Sequence, residues 1–307
     1  PDVAWPQQIE VRAGKFFARP RYEICGPADR HRISHINVER TDLKVDPSIP
    51  ELSKHIGKGH LLPAPILPMD RWRSIALPTP MATCQTELPL ALIIYDASGR
   101  EIAREALGRL PRDHRRVIDV TAFADDWGGL PSGYGHFELV YDFSDGGGAD
   151  GWLHALFRYE DNESGHGADT SFGAHVFNTV LTYKGEPQSY IAEPPGLTTR
   201  LFLRLGQLPL DTMCHLIYPA STPWHEQSST ECVLFDGTGT EINHWTVEIP
   251  CGGSHLWRYQ NVFSDAERDR AGDGAYIVVR DSTCRLFGYH GLLGETGAFS
   301  FDHMFGF

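Results

Sequence analysis

The chain has 307 residues, with 27 Lys+Arg against 40 Asp+Glu, a formal net charge of −13, and 41% apolar residues. That apolar share can bury a core and excludes disorder of the whole chain, while the length suits two domains or one large β unit. The acidic balance argues against nucleic acid as a partner, because phosphate binding needs a surplus of Lys and Arg.

No membrane partner is expected. The longest apolar run, Leu88 to Tyr95, is broken by Pro89, and a helical span needs about 20 residues. The opening Pro1-Asp2-Val3-Ala4-Trp5 has neither the positive start nor the apolar run of a signal peptide. With no initiator Met, a removed leader or tag is expected. The compartment stays open, a soluble cytoplasmic protein being the favoured expectation. Cys25, Cys84, Cys214, Cys232, Cys251 and Cys284 form no CxxC pair and read as mostly buried thiols.

Taken in chain order, the elements are short strands between Gly- and Pro-rich turns, with 31 Gly and 21 Pro. Ile9–Arg12 is similar to Ile277–Arg280, and with Ile33–Asn37 it marks an N-terminal extension, residues 1–37, that resembles the end of a repeat. Ile49–Ile56 suits a turn or two of helix. In Leu61–Pro68 the prolines exclude a helix and a central strand, leaving an extended linker or edge segment. Leu92–Tyr95, Val117–Val120, Phe137–Tyr141 and Leu156–Tyr159 follow as strands, with Asp145–Gly148 as a hairpin tip. Further on, Ala266–Ala271 suits a short helix and Tyr276–Val279 a strand. Together these predict an all-β, jelly-roll-like β-sandwich fold.

The chain also repeats itself. Tyr95-Asp96-Ala97-Ser98-Gly99-Arg100-Glu101-Ile102 matches Phe235-Asp236-Gly237-Thr238-Gly239-Thr240-Glu241-Ile242, each reading as a hairpin with a glycine at the turn. Gly133–Tyr141 is similar to Gly272–Val279, Leu156–Tyr159 to Leu286–Tyr289, and Ser171–Phe177 to Phe299–Phe305. A partial third copy stands at the start, where His35 falls in the place of His175 and His303. Two sandwich repeats are therefore expected, residues 38–178 and 179–307. The extension is expected to complete a sheet that would otherwise have an open edge.

The strand order over Leu92–Arg158, with a basic turn at Pro111–Arg116 and then Val117-Ile118-Asp119-Val120, resembles the small β-sandwich domain of the sensory-rhodopsin transducer family. It covers roughly 70 residues in each repeat and rests on strand order, so no functional residue carries over. The resemblance implies a sandwich, with self-association or small-ligand binding.

No GxSxG elbow, P-loop, HExxH or helix-opening GxGxxG is present. Histidine carries the sharpest hypothesis. If the copies pack about a pseudo-symmetry axis, His35, His175 and His303 converge as an open three-imidazole site for a divalent metal ion such as Zn or Fe. The simpler alternative is an inherited, buried, hydrogen-bonded histidine. Beside the metal, Asp169, Glu163 and His166 are candidate acid–base groups from the acidic loop Tyr159–Asp169. Arg158, Tyr159, Tyr289, His290 and Trp152 are candidate ligand-binding residues, and Arg12, Arg158 and Arg280 could each pair with a carboxylate ligand.

The expected function is a metal-dependent lyase, isomerase or hydrolase (an oxygenase with iron) acting on a small organic substrate between the repeats. The alternatives are a non-catalytic ligand- or carbohydrate-binding protein with an aromatic platform at Trp152, and a homo-oligomeric signalling or structural protein.

Overall fold

The computed structural model describes residues 6–12, 21–27, 30–35, 37–52, 62–175, 181–183, 186–188, 199–219, 225–282 and 284–304. Ile36, Phe177, Phe305, Phe307 and the second half of the helix expected at Ile49–Ile56 lie outside these residues.

The chain opens with the hairpin β1 (Arg21–Cys25) and β2 (His31–His35), then α1 (Ile49–Leu52). A first group of strands follows: β3 (Leu62–Ile66), β4 (Trp72–Thr79), β5 (Glu87–Asp96), β6 (Glu101–Pro111) and β7 (Ile118–Asp119). It is completed by α2 (Val120–Asp126), β8 (Gly135–Tyr141), β9 (Trp152–Asp161) and β10 (Gly167–His175). A small hairpin, β11 (Leu181–Tyr183) and β12 (Glu186–Gln188), comes next.

The second group begins with β13 (Thr199–Arg204), β14 (Asp211–Ile217), β15 (Thr230–Phe235), β16 (Glu241–Val247) and β17 (Ser254–Arg258). It ends with α3 (Tyr259–Val262), α4 (Asp265–Ala271), β18 (Tyr276–Asp281), β19 (Phe287–Leu293) and β20 (Phe299–His303).

The fold is all-β. Each group forms two antiparallel sheets: sheet I is β3-β8-β5-β6 and sheet II β10-β9-β4-β7, while sheet III is β13-β18-β15-β16 and sheet IV β17-β14-β19-β20. Sheets I and III share one strand order, and so do sheets II and IV read from opposite ends. Sheets I and II face each other across Leu92, Ile94, Phe137, Leu153 and Phe157; sheets III and IV enclose Leu203, Cys214, Leu234, Trp257 and Ile277.

The proline-rich segment is the edge strand β3, where Pro63 and Pro65 are tolerated because only one side of the strand must pair. The two matched hairpins close alike: Asp96 Oδ1 accepts from Ser98 and Arg100 N–H, and Asp236 Oδ1 from Thr238 and Thr240 N–H. Val120 opens a helix instead of ending a strand, because the Asp119 carboxylate caps the Ala122 N–H at 3.1 Å.

Sheet IV is covered on both faces. Cys214 and Leu216 of β14 point into the second core, whereas Met213 and Ile217 join the first, together with Tyr289, Leu293 and Phe301. Ring contacts Trp72–Phe299, Tyr159–Phe301 and Phe172–Phe287 continue that junction. The N-terminal hairpin does not complete a sheet among the described residues: β1 and β2 form their own two-stranded sheet. Side chains cover the edge strand β10 instead, Tyr22 donating to Asp169 at 3.1 Å and Ser171 to the His35 carbonyl at 3.1 Å. No helix among the described residues is long and apolar enough to cross a membrane. The six cysteines are unbridged, and Cys25 alone of them is exposed.

Candidate functional site

The three histidines proposed as metal ligands do not occupy matching places. His35 of β2 and His303 of β20 both reach β10, with ring centroids 6.2 Å apart in an edge-on contact. His35 Nδ1 lies 2.6 Å from Ser171 Oγ, and Thr170 donates to Asp302 Oδ1 at 2.5 Å. His303 Nδ1 sits 3.1 Å from the same carboxylate oxygen. Burial pushes the Asp302 pKa up, but hydrogen bonds from His303 and Thr170 outweigh it and leave the group at about 2.

His175 pairs with Trp152 at the far end of β10, and its side chain lies outside the described residues. Its backbone runs about 13 Å beyond Ser171 at roughly 3.3 Å per residue of extended strand. Register gives the reason. Tyr289 faces His303 across β19–β20, whereas its sequence match Tyr159 faces Ala168, which precedes His175 by seven residues.

The acid–base candidates are also separated. Asp169 is buried and held by Arg158 Nε at 3.0 Å and by Tyr22, so the candidate base and the candidate carboxylate-binding Arg158 pair with each other. Glu163 is exposed in the turn after β9, where its N–H donates to Asp161 Oδ1, and His166 is half-buried in the same turn. Among the ligand-binding candidates, Tyr159 and Tyr289 belong to the core between the sandwiches, Tyr289 donating to the Pro63 carbonyl at 2.8 Å. His290 is half-buried, and burial lowers its pKa. The half-buried Trp152 ring carries the Arg40 guanidinium over one face, 5.6 Å from its centroid.

A different surface has the character of a site. Strand β13 alternates Thr199, Leu201 and Leu203 inward with Arg200, Phe202 and Arg204 outward. The outer face of sheet III thus holds a groove of about 460 Å³ lined by Arg200, Phe202, Phe235, Tyr276, Val278 and Arg280. Tyr276 stacks on Phe202 at 4.9 Å and on Phe235 at 5.2 Å. Arg280 lies over the Phe235 ring at 5.8 Å, and Glu231, directly opposite it on β15, approaches its guanidinium at 3.9 Å.

The matching positions of sheet I carry Tyr95 stacked on His136 at 5.0 Å, and there both rings are wholly buried. On sheet III the stack is open, with Phe202 46% exposed. Sequence reasoning singled out Arg280 but passed over Phe202, Phe235 and Tyr276. The signal was the Arg-x-Phe-x-Arg alternation at 200–204.

No protein-family model matches this chain, and no curated protein matches it.

Proposed function

We propose that this protein is a non-catalytic β-sandwich binding protein that holds a short acidic sugar on the outer face of sheet III. The observation that carries this reading is the pairing of Arg200 with Arg280, directly opposite in the β13–β18 register, beside the open Phe202–Tyr276–Phe235 stack. Like charges directly opposite on neighbouring strands are destabilising, and a carboxylate set between them turns repulsion into two charge-assisted hydrogen bonds. The aromatic faces supply apolar area for the C–H face of a pyranose ring. The volume falls in the range of roughly 300–1,000 Å³ usual for small-ligand sites. A chain of net charge −13 repels a long polyanion, so a mono- or short oligosaccharide fits better than a polymer.

The metal-dependent lyase, isomerase or hydrolase reading keeps the approach of His35 to His303 as its support. Its third candidate, His175, stands four residues beyond Ser171 on β10, with its side chain outside the described residues. The shared strand orders and the matched Asp96 and Asp236 turns support descent of the two sandwiches from one duplicated unit.

The test is a thermal-shift panel of acidic and neutral sugars against the wild type and Tyr276→Ala. Galacturonate and its short oligomers should raise the wild-type melting temperature, since a ligand that binds only the folded state stabilises it. Galactose should not, and the variant should lose the shift. No shift with any acidic sugar, or an equal shift in the variant, contradicts the reading.

A further inference from the structure

Strand alternation divides the N-terminal hairpin into a face that anchors and a face that displays. On the anchoring face, Tyr22 reaches Asp169 at 3.1 Å and Arg32 reaches Glu160 at 3.2 Å, tying the hairpin to the first sandwich. The opposite face carries Glu23 and Cys25 on β1, with His31 directly across from Cys25 on β2, all three exposed. Their donor atoms converge. His31 Nδ1 lies 2.6 Å from Glu23 Oε1 and 3.7 Å from Cys25 Sγ. Among the described residues, this is the one group of three such side chains whose ligand atoms all lie within 4.8 Å of one another.

We infer that Glu23, Cys25 and His31 form a binding site for a divalent cation of the zinc class, separate from the groove and from the three histidines expected above. Zinc bonds of about 2.3 Å to sulfur and about 2.0–2.1 Å to nitrogen, set at a tetrahedral angle, place those two atoms about 3.6 Å apart. The observed 3.7 Å matches that edge. The 2.6 Å contact of Glu23 with His31 is a hydrogen bond that the ion replaces; a tetrahedral nitrogen–oxygen edge of about 3.3 Å asks the two side chains to part by roughly 0.7 Å. One thiolate, one imidazole and one carboxylate suit zinc, whereas calcium and magnesium take oxygen donors.

Two of the donors are fixed relative to each other by the strand register, so the hairpin pre-sets the cross-strand edge of the site. Three protein ligands leave the fourth position open to water. Binding converts the Cys25 thiol to a zinc-bound thiolate and releases its proton to solvent, so affinity rises with pH.

The experiment uses the untagged full chain. Cobalt(II) titration should give a thiolate-to-metal charge-transfer band saturating at one ion per chain, and mass spectrometry should find one retained zinc after dialysis. Cys25→Ser should abolish the band. His31→Ala and Glu23→Gln should weaken binding by at least the roughly tenfold that loss of even an outer partner costs a metal site, whereas His35→Ala should bind as the wild type does. All three donors are exposed, so circular dichroism should be unchanged in the variants. Zinc should also slow alkylation of Cys25 in the wild type, a readout that needs no variant. A folded wild type with no cobalt band and no zinc protection of Cys25 overturns the site, as does binding unchanged by Cys25→Ser and His31→Ala.

Discussion

Arg200 and Arg280 face each other across the β13–β18 ladder on an exposed sheet face, two cations in direct cross-strand register. Replacing one with an acid converts the repulsion into a cross-strand ion pair. Arg200→Glu should therefore stabilise the protein by about 0.2–1 kcal/mol while abolishing acidic-sugar binding. Urea denaturation measures the first effect and calorimetry the second. A variant that is less stable, or still binds, would remove the functional reason for the pair.

Gly99 and Gly239 occupy the same turn position in the two hairpins, with φ of +86° and +90°. Their surroundings differ. A Cβ on Gly99 would sit 2.6 Å from the Cys251 carbonyl, in the loop whose Ser254 N–H donates to Ala97, whereas at Gly239 the nearest atom is 3.6 Å away. Gly239→Ala should cost about 1–2 kcal/mol of left-handed strain. Gly99→Ala should cost more, because it must also displace backbone of the second sandwich. Equal losses by chemical denaturation would contradict the close approach.

His215 is fully buried between the sandwiches, edge-on to Tyr134, and among the described residues neither ring nitrogen has a hydrogen-bond partner. Burial first, then the fields of His136 and His255, hold its pKa well below the ordinary value. Burial likewise lowers His114, His255 and His290. The folded protein keeps His215 neutral, while the unfolded chain takes up a proton below its ordinary pKa of about 6.5. Stability is thus full above about pH 6.5 and falls as pH drops below it, by up to about 1.4 kcal/mol per pH unit for each such proton. His215→Leu should flatten the slope of melting temperature between pH 7 and 5. An unchanged slope would mean that this imidazole does not contribute to acid lability.

Tyr289 ties the two sandwiches together through its hydroxyl, which donates to the Pro63 carbonyl on the edge of sheet I. Tyr289→Phe keeps the ring packing with Phe301 but leaves a buried carbonyl unpaired. A loss of about 1–3 kcal/mol is expected, read from urea denaturation. No loss would show that the bond contributes nothing net.

The strands and the matched turns were legible because period-two alternation and an Asp-x-x-Gly turn are local signals. Asp96 and Asp236 make the same hydrogen bonds for that reason. The helix at Val120 was hidden because three of the four residues Val117–Val120 are β-branched, and the carboxylate of the fourth, Asp119, decides the matter. The placing of His175 failed for a long-range reason: register sets which residue faces its neighbour, and a gapped match between hairpins does not fix register.

Tyr159 and Tyr289 looked available to a ligand because alternation gives a strand two faces without saying what covers them. The junction with the other sandwich buries both. The groove escaped notice for the converse reason. Arg200, Phe202 and Arg204 are outward on one strand, and they form a surface only once β18 and β15 bring Tyr276, Arg280 and Phe235 beside them.

The most direct test of the central claim is calorimetric titration of a galacturonate oligosaccharide, and of its neutral galactose counterpart, into the wild type, Phe202→Ala and Arg200→Ala. The acidic sugar should bind the wild type at one site per chain, the neutral one at least tenfold more weakly, and each variant should lose about tenfold, equivalent to about 1.4 kcal/mol. Binding that ignores both substitutions, or that prefers the neutral sugar, would contradict the assignment of sheet III as the ligand face.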